Sequence, residues 1–177
     1  MQQKALVYVK RALEHHLPLL PSFERLLEEH HIDHLTFNYG SYLETDLLEA
    51  LKAVSMAIVI DDLEIFGNAI QRFKMYDIPI FTVSHSLKLG YFNDECGMFV
   101  SCAHLLSFEQ LAVHFKDFLR NLEQGIYHPR TWVLQHLSAR VVYPHIYNVL
   151  CNRTNTLFPS DPTESGLSFE EFCPEKN

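Results

Sequence analysis

Positive charge is scarce in this sequence. Lys and Arg total 14 against 22 Asp and Glu, a formal net charge of −8. Surfaces that neutralise nucleic-acid phosphates are normally basic, so this balance argues against a nucleic-acid partner. Cysteines number only four, Cys96, Cys102, Cys151 and Cys173, and no two are spaced as Cys-x-x-Cys. That removes the usual zinc and dithiol motifs. A reducing, cytoplasmic compartment is the simplest expectation. Long apolar runs are also missing, since none approaches the roughly 18 residues a membrane helix needs. The opening segment MQQKALVYVKRALEHH lacks an apolar core and a small-residue cleavage site, so it does not read as a signal peptide. Asn152-Arg153-Thr154 is formally a glycosylation sequon, but it matters only in a secreted chain.

What is present suffices for one soluble domain. The chain has 177 residues, 47% of them apolar, enough for a real hydrophobic core. Strand-like and helix-like segments alternate. Strands are expected at Lys4–Val9, His34–Tyr39, Ser55–Ile60, Ile78–Val83 and Gly97–Val100. Helices are expected at Pro21–His30 with Ser22 as cap, Glu44–Val54 with Thr45 as cap, Gly67–Tyr76 and Phe108–Leu122. Pro129 suits the first turn of a last helix running toward Leu150. The uninterrupted apolar run SMAIVI fits a strand covered on both faces, as in parallel sheets. This order predicts a Rossmann-like α/β fold, a three-layer α/β/α sandwich around a parallel sheet. Residues 1–150 form the expected domain, and 151–177 a polar, poorly ordered tail.

Right-handed crossovers place every strand-to-helix loop at one sheet edge, where open α/β sheets bind ligands. The segment Asp61-Asp62-Leu63-Glu64-Ile65-Phe66-Gly67-Asn68-Ala69 lies between a buried strand and a helix. Gly67 and Ala69 let the backbone approach a ligand closely, and a helix start favours phosphate. Glu64 at the loop mouth suits sugar hydroxyls. An ordinary strand–helix turn with an acidic first turn explains the same residues. Lys10 and Arg11 follow the first strand at the same edge, where a cationic pair neutralises a diphosphate or is simply solvated. His15-His16 are adjacent and share no helix face, and His30, His31 and His34 straddle a helix end. No metal site is therefore expected. The stripe Phe108, Leu111, Phe115, Phe118 and Leu122 reads as core.

Several pieces, in order, resemble the C-terminal, donor-binding half of GT-B glycosyltransferases of the family 4 (group 1) kind, with a pattern similar to those of large DNA viruses and algae. Lys4–Arg11 (KALVYVKR) resembles that half's first strand and its basic ending. Tyr39-Gly40-Ser41-Tyr42 resembles the Y-G-x-Y turn. Asp62–Ala69 resembles the acidic-x-x-Gly-x-Ala segment, and Asp77–Phe81 the small-x-Pro strand. Tyr91–Gly97 (YFNDECG) resembles an aromatic–aromatic–acidic–Cys–Gly motif, and Tyr127–Ser138 (YHPRTWVLQHLS) a helix start. The resemblance spans roughly residues 4–145.

The resemblance implies a nucleotide-diphosphate sugar as donor substrate, and the residue pattern indicates no metal or other cofactor. Gly67, Asn68 and Ala69 would present amides to the diphosphate, Lys10 and Arg11 would face it, and Glu64 would contact the sugar. Arg72 falls where the family's E-x7-E motif places its second, ribose-holding glutamate. Ile65 and Phe66 replace smaller or polar residues. A donor half alone lacks the second wall that positions an acceptor, so catalysis is expected only with a partner domain or subunit. A degenerate, non-catalytic interaction module is the competing expectation. A receiver-type signalling domain, suggested by Asp61-Asp62, fits less well, because such acidic pairs belong to the first strand.

Overall fold

The computed structural model describes residues 3–11, 19–61, 67–84, 92–101, 107–144 and 146, the side chains of Arg11 and Asp61 excepted. The chain divides into two compact units, Met1–Leu134 and Gln135–Asn177. In the first unit the elements run β1 (Lys4–Arg11), α1 (Leu19–Glu29), β2 (Asp33–Asn38), α2 (Glu44–Ala53), β3 (Met56–Asp61), α3 (Asn68–Met75), β4 (Ile80–Ser84), β5 (Gly97–Ser101) and α4 (Phe108–Glu123). A further helix, α5 (Pro129–His136), follows.

All strand pairs are parallel, in the order β2-β1-β3-β4-β5. The α/β fold with a parallel sheet flanked by helices is therefore as the sequence predicts. Alternation along the strands builds two cores. On one face Ala5, Val7, Ile58, Phe81 and Val83 meet α1 and α4. Phe81 is the hub there, edge-on to Phe23, Phe115 and Phe118 at 5.4–5.7 Å. On the other face Tyr8 packs edge-on against Phe73 of α3 at 5.5 Å. The apolar stripe of α4 buries Leu111, Phe115 and Phe118, as its spacing predicts. Its start is fixed by a capping box, in which Ser107 and Gln110 each bond the other's backbone N–H.

Two expected caps are corrected. The first helix begins at Leu19, so Ser22 lies inside it. Pro21 then falls in the first turn, where its missing N–H costs nothing. The second helix has Leu43 at its N-cap and Thr45 already inside. The helix from Pro129 is also shorter than expected, ending at His136. In the second unit, the N–H groups of Val141 and Val142 both bond the Ser138 carbonyl, which opens a separate helical turn. The 151–177 tail lies outside the described residues.

Asp77 closes α3 in the left-handed region at φ 60, a conformation that short polar side chains tolerate. Its Oδ1 accepts the Arg130 N–H at 3.0 Å, so one residue ends α3 and caps the start of α5.

Candidate functional site

In the order β2-β1-β3, the chain leaves β1 in one direction for β2 and then returns to the other side for β3. The switch point therefore lies between β1 and β3. Ligands of open α/β sheets bind outside the carboxyl ends of the strands at such a point. Lys10 and Arg11 end β1 there, Asp61 ends β3, and α3 starts just beyond.

The ladder is irregular at this spot. Val9 pairs with Ile60 and Arg11 with Asp61, so Lys10 is one extra residue on β1. A bulge of this kind bends the strand and re-aims a side chain. The Lys10 side chain runs to the start of α3. A methyl group placed on Gly67 would lie 3.3 Å from Lys10 Nζ and 3.9 Å from its Cε. The ammonium thus stands against the N-cap of α3, and a side chain on Gly67 would push the flexible end of Lys10 back by a few tenths of an ångström.

Gly67 has φ −102, which any residue adopts, so close approach rather than backbone freedom is what its small size provides. Gly67 brings no side chain to cap the helix, and the first bond of α3 runs from the Gln71 N–H to the Gly67 carbonyl at 3.2 Å. The N–H groups of the first turn, Asn68 and Ala69 among them, have no acceptor within an ideal helix. An ammonium beside a helix start is an anion-binding arrangement.

Arg72, one turn along, forms an ion pair with Glu44 of α2. Its guanidinium is thereby directed to the neighbouring helix. Gln71 is different in kind, since its Oε1 and Nε2 are both buried without a hydrogen-bond partner. Glu64, Ile65 and Phe66 lie outside the described residues, as does the side chain of Arg11. The structure therefore brings Lys10, Gly67, Asn68 and Ala69 to one place. Among the described residues, no group of three or more His, Cys, Asp and Glu side chains could hold a metal ion. No helix among them is long and apolar enough to cross a membrane.

A second cluster escaped the sequence. Lys74 of α3 is buried, with Nζ 4.6 Å from the Trp132 ring centre and 5.6 Å from that of Phe92. Burial pulls the Lys74 ammonium below its ordinary value, against an opposing effect of Cys96. Burial likewise pushes the Cys96 thiol up, with Lys74 opposing. The unfolded chain therefore holds more protons on Lys74 between its lowered value and 10.5. This lysine's contribution to stability rises as pH climbs through that window. Above 9.0 Cys96 acts oppositely, because the folded thiol keeps its proton longer. In a Cys96→Ala background, the Lys74 contribution should raise urea unfolding midpoints as pH climbs toward 10.5. Adding Lys74→Met should flatten that rise. An unchanged slope would contradict the assignment to this lysine.

No family model, curated protein or solved structure matches the chain.

Proposed function

We propose that this domain binds a phosphate-bearing nucleotide ligand at the switch point between β1 and β3, and that the ligand is a nucleotide-diphosphate sugar. The observation that carries the reading is the Lys10 ammonium against Gly67, at the start of α3, where Gly67 brings no capping side chain. A cation beside a helix start complements the negative charge of a diphosphate. The sugar nucleotide rests further on the resemblance to donor-binding glycosyltransferase halves.

In this reading Lys10, Arg11 and the amides from Gly67 to Ala69 stabilise the charge that grows on the leaving diphosphate. Glu64 orients the sugar. Glycosyl transfer to an acceptor then needs a second domain or subunit to close the cleft and exclude water.

One observation favours the non-catalytic alternative. Arg72 stands where the family's ribose-holding glutamate belongs, and it is occupied by Glu44. A module that holds a nucleotide without turning it over would tolerate that exchange.

Thermal shift with UDP-, GDP- and ADP-sugars tests the binding claim. At a ligand concentration about 100 times Kd, linkage gives roughly 2.7 kcal/mol of added stability, which registers as several degrees. A flat response to all three at millimolar concentration would remove the proposal. Binding without glycosyl transfer or donor hydrolysis, in the presence of an acceptor half, would select the alternative.

A further inference from the structure

Among the described aromatics at the carboxyl edge, the ring of Tyr39 is the exposed one. Tyr8 is buried, and its hydroxyl meets that of Tyr42 at 3.1 Å. Phe37 and Tyr42 are half-buried and pack edge to face at 5.5 Å. Tyr39, on the same turn, leaves 57% of its surface to solvent. Its ring is open to a flat ligand laid against it.

Its backbone is firmly held. The Tyr39 N–H bonds the Val9 carbonyl at 2.8 Å, and the Ser41 N–H bonds the Asn38 carbonyl at 3.0 Å. Gly40 has φ +80, the positive value that the third position of a type II turn requires. A methyl on Gly40 would meet nothing within 4 Å, so glycine serves the turn and not a contact. The ring is therefore mounted on a fixed turn.

Its position relative to the phosphate site is set by the sheet order. Tyr39 follows β2, Lys10 ends β1, and Gly67 follows β3, in that lateral order. Val9, to which Tyr39 is bonded, immediately precedes Lys10. Neighbouring strands are spaced by about 4.8 Å, so β2 and β3 ends stand roughly 10 Å apart. A nucleoside diphosphate is long enough to lie across that edge. Its phosphates would rest at Gly67 and Lys10, and its flat base would reach the Tyr39 ring.

We infer that Tyr39 is the stacking platform for the base of the bound nucleotide. The inference rests on the phosphate site proposed above and adds the half of the ligand that site does not contact. Aromatic stacking accepts any base, since each presents a π face, so Tyr39 supplies affinity for a nucleoside without selecting one.

Calorimetry on the full chain tests it, with UDP, GDP, ADP and inorganic pyrophosphate as probes. Tyr39→Ala should weaken the nucleoside diphosphates about tenfold and leave pyrophosphate unchanged. Tyr39→Phe should bind them as the wild type does, because the ring and not the hydroxyl is used. Lys10→Ala should weaken all four probes. If Tyr39→Ala binds UDP, GDP and ADP normally while Lys10→Ala does not, the stacking role is overturned and the phosphate site stands. Equal loss of pyrophosphate in Tyr39→Ala would also overturn it, by showing a disturbed turn. If the wild type binds none of the probes, the phosphate site fails and the platform with it.

Discussion

Gly97→Ala is expected to destabilise the chain severely. Gly97 opens β5 at φ +144, a backbone conformation that side chains rarely adopt. It pairs with Ile80 of β4, and a methyl there would fall 1.9 Å from the Ile80 carbonyl oxygen and 2.6 Å from its nitrogen. Both obstacles are backbone atoms inside a buried ladder, so no side-chain rotation relieves them. Either β5 shifts its register or it leaves β4. A one-residue shift would turn the buried Val100 outward and remove it from the core with Phe81 and Val83. The cost is set at about 4 kcal/mol or more, the top of the range for single substitutions. Domain stabilities are about 5–15 kcal/mol, so the loss is a large share of the total. Urea denaturation followed by circular dichroism measures it. A midpoint equal to that of the wild type would show that β5 is not packed as described.

Lys10→Ala should cost little stability and much binding. The side chain is half-buried, and its carbon stem adds some packing. Its ammonium, in contrast, is aimed at Gly67 by the bulge after Val9. A hydrogen bond from a charged group is worth about 1.5–3 kcal/mol. Loss of one such contact lowers affinity for a diphosphate roughly tenfold to a hundredfold. Lys10→Arg should recover part of it, since charge is kept while the point-like ammonium becomes a planar fork. Raising the salt concentration should weaken the wild type more than Lys10→Ala, because the screened charge is then already missing. Titration calorimetry gives all three comparisons. Equal affinities for wild type and Lys10→Ala would dissociate the lysine from the ligand.

Much of the scaffold was legible because buried parallel strands read as unbroken apolar runs. Met56–Asp61 needs no partner information to be recognised as a doubly covered strand. Helix phasing was equally readable in α4, where Leu111, Phe115 and Phe118 mark the buried face. Helix starts were not, because Ser22 and Thr45 carry cap chemistry at positions the chain does not use as caps. Tertiary packing outweighed the local preference of those two side chains.

The site was legible in position and not in aim. Sequence order places Lys10 at a strand end and Gly67 before a helix, but only the bulge brings the ammonium to the glycine. A bulge leaves no mark in hydrophobic alternation when it falls at the last residues of a strand. Lys74 shows the opposite failure. A lysine in a helix reads as solvated, yet its ammonium lies over the rings of Phe92 and Trp132, which are distant in sequence. The glycine of the Cys96-Gly97 pair is required by its φ of +144 and by Ile80, which leaves no room for a side chain. Arg72 falls where the resemblance places a ribose-holding glutamate, and the structure pairs it with Glu44.

A crystal structure of the full chain grown with a nucleoside diphosphate tests the phosphate site most directly. The account predicts phosphate oxygens within hydrogen-bond distance of Lys10 Nζ and of the amide nitrogens that open α3. Phosphates bound at any other surface, with Lys10 and Gly67 untouched, would contradict it.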